Sequence, residues 1–402
     1  MSPGGALTHR GRLALALGGA TYLAAWAFGS KVLYPVALGL LAAVLLAWLW
    51  TRLANRPLEV RRSLSAGDRV EGESVTVSLQ LAAERPLVPA RWVLHERIGK
   101  LGERETPLTL GGRARYVLHR LPRGRYAFGD CRAVVEDPFG LERIEQPLSA
   151  PGALLVYPRL VELERLFSES GARALDGRRL LLQRPSGFDL HSVREYEEGE
   201  SLRKVHWRST ARRGQLMVKE LEDAPRDEVA VVLDADPAAV VGESFDVQVR
   251  AAGSILRAHA RRGRRAVLLV NAASGEQRRV HASDGDWRRA LDLLAAVEPE
   301  PGPPLAALLS AETNAAARAL ELTVVTGSLP QPLVERVVAR ALGHGTVSLV
   351  LVDTASFNGS EPRRLPELLR LQAAGVAVVV LRRGDDLAER LGARDQVEAA
   401  RG

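Results

Sequence analysis

Two carboxylates, Asp234 and Asp236, follow the apolar run Val229–Leu233, and Thr326 closes a later apolar run, Leu322–Val325. Carboxylate and hydroxyl oxygens are what a Mg²⁺ ion takes into its compact octahedron. The carboxyl ends of strands near a topological switch point are where open α/β sheets hold ligands. Asp234, Asp236 and Thr326 are therefore a candidate, incomplete metal position. The plainer reading is that the two aspartates cap the next turn or pair with arginine. A second set lies earlier: His191 and His206 near Ser192 and Ser209, with Glu195 or Glu197 to complete a hydrolase triad on paper. Triads are a matter of geometry, which proximity in sequence does not supply. Packed, hydrogen-bonded histidines are the default there.

Other enzymatic signatures are missing. The chain has no G-x-x-x-x-G-K-[ST] phosphate loop, no G-x-G-x-x-G after a strand and no G-x-S-x-G elbow. His95-Glu96 begins a zincin motif but lacks the second histidine and sits in strand-like sequence. The single cysteine, Cys131, excludes an intramolecular disulfide and a cysteine-based zinc cluster, and reads as a small buried strand residue. No catalytic residue and no resident cofactor is expected. The net charge of +7 comes from arginines spread along the whole chain, without the focused patch or stacking platform that a nucleic-acid partner needs.

These residues must be held by several units, because 402 residues exceed one ordinary domain. Residues 1–56 hold two charge-free apolar runs, Leu13–Gly29 and Val32–Trp50, of 17 and 19 residues, split only by Ser30 and Lys31. Each is near membrane-crossing length, so a transmembrane helical hairpin is expected. Arg10, Arg12, Arg52, Arg56, Arg61 and Arg62 flank it against the single Lys31 of the turn, which places both ends and the soluble domains in the cytoplasm. The competing reading takes the first run as a signal peptide with Ala25-Trp26-Ala27 as its cleavage site; the second run still anchors the chain.

Residues 57–160 alternate with period two through Val75-Val77-Leu79-Leu81, Trp92–Leu94, Leu108–Leu110, Tyr116–Leu118, Tyr126–Phe128 and Ala133–Val135, with Gly129-Asp130 as a turn. That pattern predicts an all-β, sandwich-like module. Residues 161–227 form a connector and a charged segment, and residues 228–402 alternate buried-type strands with helices at Trp287–Val297, Leu333–Leu342 and Leu365–Ala373. A doubly wound α/β domain follows.

The charged segment Asp189–Glu222 interleaves seven acidic and seven basic residues with apolar ones, a mixture that folds by pairing its charges. Phe188, Tyr196 and Trp207 are expected in a core beneath those charges, and a surface anchor is the alternative. Arg194, Arg203, Arg208, Arg212 and Arg213 are candidates for bidentate pairing with carboxylates, either the chain's own Glu197, Glu198 and Glu200 or a partner's.

Arg194, Tyr196, Gly199, Arg203, Trp207, Ala211, Arg212, Gly214, Leu216 and Lys219, with Arg123–Tyr126, Asp137–Leu141 and Tyr157–Arg159, make the chain similar to the domain-of-unknown-function-58 family. The resemblance implies a membrane-anchored protein with a β-rich module and a von Willebrand factor A-like domain, often paired with a MoxR-type AAA+ ATPase. It implies no known reaction. A metal-binding domain of that kind carries D-x-S-x-S where this chain has Asp234-Ala235-Asp236-Pro237-Ala238, without the hydroxyls. The expected function is a membrane-tethered, non-enzymatic adaptor or assembly factor acting in the maturation of envelope or other protein complexes. The alternatives are a Mg²⁺-dependent adhesion or ligand-binding domain and a cryptic hydrolase.

Overall fold

The computed structural model of the chain describes residues 5–55, 58–65, 67–83, 92–108, 113–149, 151–169, 190–195, 207–221, 229–272, 277–280, 284–310, 315–343, 345–360 and 366–392. It is multidomain, dividing into Met1–Arg159 and Leu160–Gly402.

The first unit begins with a short strand β1 (Gly5–Leu7) and two helices, α1 (His9–Phe28) and α2 (Leu33–Ala54). Of these, α2 is long and apolar enough to cross a membrane. The helices pack closely: a Cβ on Gly18 would lie 3.1 Å from Leu41, and the rings of Tyr22 and Tyr34 meet edge to face with centroids 5.5 Å apart. Nine strands follow, β2 (Leu58–Leu64), β3 (Arg69–Val70), β4 (Val75–Ala83), β5 (Trp92–Ile98), β6 (Glu103–Leu108), β7 (Arg113–Leu118), β8 (Gly124–Glu136), β9 (Glu142–Leu148) and β10 (Gly152–Tyr157).

β2, β4 and β7 make one sheet, the remaining strands another, and their inward residues share one core that includes Val77, Leu79, Trp92, Tyr126 and Val135. Period-two alternation is the cause: β5 buries Trp92, Leu94, Glu96 and Ile98 and turns the residues between them outward. The expected turn at Gly129-Asp130 is not a turn. Both residues lie inside the continuous β8, where the ladder with β5 shifts register between Glu96 and Ile98 and absorbs the irregularity as a bulge.

A buried polar cluster joins the two sheets. Arg62 on β2 donates to Glu96 Oε2 at 2.6 Å and the Tyr116 hydroxyl on β7 donates to Oε1 at 2.5 Å. Arg62 also lies over the Phe128 ring at 4.1 Å. Burial, then the hydrogen bond to Glu96, raises the Tyr116 pKa, and burial pushes the nearby Cys131 thiol up to about 11. Cys131 is buried on β8, as its sequence context predicts.

The second unit holds an antiparallel pair, β11 (Leu190–Glu195) and β12 (Met217–Leu221), with helix α3 (Trp207–Arg213) between them in sequence. Its main sheet has six strands, β13 (Val229–Leu233), β14 (Ala266–Val270), β15 (Gln277–Val280), β16 (Glu321–Thr326), β17 (Thr346–Val352) and β18 (Ala377–Leu381), in spatial order β15-β14-β13-β16-β17-β18. All pairs are parallel except β14 with the edge strand β15.

Helices cover both faces. Val229, Val231 and Leu233 pack toward α4 (Ser244–Arg261) and α5 (Asp284–Ala296), while Ala230 and Val232 face a cluster containing Leu305 of α6 (Leu305–Ser310), Ala315 of α7 (Ala315–Arg318), Leu333 of α8 (Gln331–Leu342) and Leu371 of α9 (Pro366–Ala373). Covering on both faces explains why β13 is apolar at every position instead of at alternate ones. The final helix, α10 (Leu387–Leu391), adds Leu387 and Leu391 to the first cluster.

At the lower end of α4, His259 is fully buried, with Nδ1 3.1 Å from the Arg264 guanidinium, which in turn donates to Glu321 at 2.8 Å. Burial, then the charges of Arg264 and Arg262, push the imidazole pKa down to about 3 from its ordinary 6.5. Below the ordinary value the unfolded chain gains a proton that the folded chain refuses. Stability is therefore lost as pH falls from roughly 6.5 toward 3, by at most about 1.4 kcal/mol per pH unit. Chemical unfolding should show the stability of the wild type relative to His259→Gln dropping by about 2 kcal/mol between about pH 7 and about pH 5. A difference that stays constant would show that His259 titrates normally.

Candidate functional site

The sheet reverses its winding between β13 and β16, so the loops after these strands diverge and leave the ends of β13, β14 and β16 side by side. Three polar residues stand there: Asp234 after β13, Asn271 after β14 and Thr326 ending β16. Asp234 Oδ2 accepts from the Thr326 hydroxyl at 2.6 Å, and Oδ1 accepts from Asn271 Nδ2 at 2.7 Å and from the Asp236 amide at 3.2 Å. Asn271 is held in that orientation because its own oxygen accepts from the Ala235 amide at 2.5 Å. Thr326 is fixed in turn by Ser328, whose amide donates to its hydroxyl at 3.1 Å.

Burial is the largest influence on Asp234 and raises its pKa, opposed by the hydrogen bonds from Thr326, Asp236 and Asn271. The surroundings are tight. A Cβ on Gly302 would lie 1.8 Å from the Asn271 carbonyl oxygen, and one on Gly327 would lie 2.0 Å from that of Ala239. Glycine is required at both because backbone passes directly over the strand ends.

The structure thus brings Asp234 and Thr326 together and sends Asp236 elsewhere. Asp236 is exposed and its carboxylate accepts from the Ala238 amide at 2.9 Å, capping the turn Pro237–Ala239 as a helix-type N-cap does. As arranged here, the oxygens that Mg²⁺ would take are engaged internally. Both oxygens of Asp234 already accept from N–H or O–H groups, and the amide that faces it from Asn271 is the nitrogen end, which cannot ligate a cation. Asn271 was not among the residues singled out from the sequence. Its signal is a polar residue at the end of an apolar run, the same position that marks Asp234 and Thr326.

The charged segment is partly described. β11 and β12 pair with Arg194 opposite Val218 and Lys219 opposite Val193, which places both signature residues, with Ser192 and Glu195, on one antiparallel ladder, and His191 falls at its register shift. Phe188, Tyr196, Glu197, Glu198, Gly199, Glu200, Arg203 and His206 lie outside the described residues, and the triad reading that needs His206 lies outside them too. Gly214 ends α3 with φ +69°, its amide donating to Thr210 O at 2.9 Å, and the Thr210 hydroxyl accepts from the Met217 amide at 3.0 Å. A left-handed residue is required where the chain leaves the helix for β12, and glycine adopts it without strain. Met217 is buried. Trp207 is not: it is 66% exposed at the start of α3, beside exposed Arg208, Ala211 and Arg212. The expected core position for this aromatic is therefore corrected: it opens a seven-residue helix with Trp207 and Arg208 exposed and the next two residues half-buried.

Residues 192–366 match the model of a family described as "Protein of unknown function DUF58". The chain carries a DUF58 domain. That domain runs from β11 through the signature into the start of α9. A relative from Bacillus subtilis (strain 168), the uncharacterized protein YeaD, is 25% identical over 274 residues, which span 67% of this chain and 66% of that protein. The solved structure of a CARDB domain from Pyrococcus furiosus, in complex with di-metal ions, is 14% identical and covers 24% of this chain and 97% of its own, at a TM-score of 0.15. An overlap that loose bears on neither fold nor function of the DUF58 domain.

Asp234→Ala removes the acceptor for three donors, two of them buried, and is expected to cost about 2–4 kcal/mol in chemical unfolding. Asp234→Asn, which keeps the shape without the buried charge, is expected to cost less than half as much. Equal losses would mean that the charge itself, as a cation ligand would require, is what the site needs.

Proposed function

We propose that this protein is a membrane-tethered, non-enzymatic adaptor that works by binding another protein through its DUF58 signature segment. The observation that carries the reading is Trp207, exposed on α3 with Arg208 and Arg212 next to it. Tryptophan and arginine are the side chains that concentrate binding energy at protein interfaces, and a solvent-facing tryptophan is unfavourable in a free chain unless something covers it.

Supporting this, the strand-end site engages both oxygens of Asp234 in internal hydrogen bonds. The sheet order, reversing between β13 and β16 with one antiparallel edge strand, supports reading the α/β region as von Willebrand A-like. The antiparallel pair α1 and α2 supports a two-helix anchor. Arg10 and Arg12 at one end of α1 and Arg52 at the adjoining end of α2 support soluble parts in the cytoplasm. In that compartment the partner on this reading is a MoxR-type AAA+ ATPase, which would supply the nucleotide hydrolysis for which this chain has no phosphate loop.

Affinity capture of the full chain from solubilised membranes should recover an AAA+ ATPase, and Arg203→Ala/Trp207→Ala should reduce the recovery at least tenfold at equal expression. Recovery of no ATPase, or equal recovery with the double variant, would contradict the proposal.

A further inference from the structure

The turn Asp137-Pro138-Phe139-Gly140-Leu141, between β8 and β9, is built more firmly than a surface loop requires. The buried Asp137 carboxylate accepts from the amides of Phe139 at 2.8 Å, Leu141 at 2.6 Å and Glu142 at 2.6 Å. The Gly140 amide closes the turn on Asp137 O at 3.0 Å, with Gly140 at φ +67°. The same ordered turn holds out one phenylalanine, which is 74% exposed. An apolar ring held out on an ordered turn gains nothing from water, so its exposure marks a surface.

The same turn is fastened to the first helix. The Thr8 hydroxyl donates to Gly140 O at 2.6 Å, its amide donates to Leu141 O at 3.0 Å, and it caps α1 by accepting from the Gly11 amide at 3.1 Å. Strand β1 pairs with β9 from Gly5 opposite Ile144 to Leu7 opposite Glu142, immediately before the helix. Gly11 has no room for a side chain: a Cβ there would lie 2.0 Å from Leu141 O. Phe139 is thus fixed beside the first turn of α1, and that turn carries the exposed Arg10 and Arg12.

Helix α1 has 20 residues, about 30 Å at 1.5 Å per residue, which matches the hydrocarbon thickness of a bilayer of about 30 Å with nothing to spare. Its first turn therefore falls at the headgroup level if the pair spans the membrane. Aromatic side chains mark the same two levels: Trp26 and Phe28 are exposed at the far end of α1, and Trp48 is exposed near the end of α2, with Arg52 over its ring at 4.6 Å.

We infer that the Asp137–Leu141 turn is a lipid-contact site, which inserts Phe139 into the headgroup–acyl boundary of the leaflet that α1 enters, with Arg10 and Arg12 facing lipid phosphates. This rests on the two-helix anchor proposed above. It adds that the β module is held against the bilayer surface by a second, non-spanning contact, which fixes its orientation to the membrane. Arginines flanking an apolar ring at this depth suit anionic headgroups below and acyl chains beyond.

The test uses the full chain in phospholipid nanodiscs containing anionic lipid, with the buried Cys131 replaced by Ala. Single nitroxide labels are placed by Phe139→Cys, by Leu45→Cys on the exposed face of α2, and by Arg336→Cys on α8 as the aqueous reference. Power-saturation electron paramagnetic resonance then compares collision with oxygen, which partitions into lipid, and with a water-soluble nickel chelate. The expected result is an oxygen-to-nickel ratio at 139 several-fold above that at 336 and approaching that at 45. A ratio at 139 equal to that at 336, with 45 in lipid, overturns this inference and leaves the anchor standing. A label at 139 shielded from both reagents also overturns it, in favour of a protein partner on that turn. An aqueous ratio at 45 sinks the anchor and this inference with it.

Discussion

One buried carboxylate governs the α/β unit. Asp234 gathers a hydroxyl from β16, an amide from β14 and a backbone N–H from its own loop. These are the ends of the three strands on either side of the point where the sheet reverses its winding. In a low-dielectric setting a charge without partners is costly and a charge with three donors is held. The network therefore fixes the strand ends relative to one another and forces the covering backbone close, as Gly302 and Gly327 record. A location that fold logic marks for ligand binding is here filled by the protein's own donors. The two proposals start instead from exposed aromatic side chains, Trp207 and Phe139.

Much of this was legible in the chain. The α/β sheet followed from fully apolar runs of strand length: a strand covered on both faces has no polar side, and β13 and β16 sit at or within a residue of the runs Val229–Leu233 and Leu322–Val325 that predict them. The β module was legible from alternation, with one failure of local punctuation. Gly129 and Asp130 have turn composition, yet pairing with β5 on one side and β9 and β10 on the other keeps the backbone extended through them. Edge strands were harder. β15, QRRV, has no buried-type run because one of its sides is free of a neighbouring strand.

The polar sites were less legible, for a common reason. Arg62, Glu96 and Tyr116 each occupy an inward position in the period-two pattern of its strand, but charged and hydroxylated residues there break the apolar rule instead of announcing a contact. Only tertiary pairing shows that they answer one another across the sheets. Asn271 was hidden likewise, its partner 37 residues away in sequence. Trp207 misled in the other direction: an aromatic amid charges suggests a core beneath them, whereas it opens a short helix and stays outside. The cap at Gly214 shows that part of the signature is plain backbone chemistry, needed to turn from α3 into β12, which leaves the exposed residues of that stretch as those free to serve binding.

The central claim is that the strand-end carboxylate is internally satisfied and does not take up a cation. Calorimetric titration of the purified full chain with Mg²⁺ and Mn²⁺ to millimolar concentration tests it most directly. The account predicts no saturable heat for either ion; a saturable one-to-one binding curve that disappears in Asp234→Asn would contradict it.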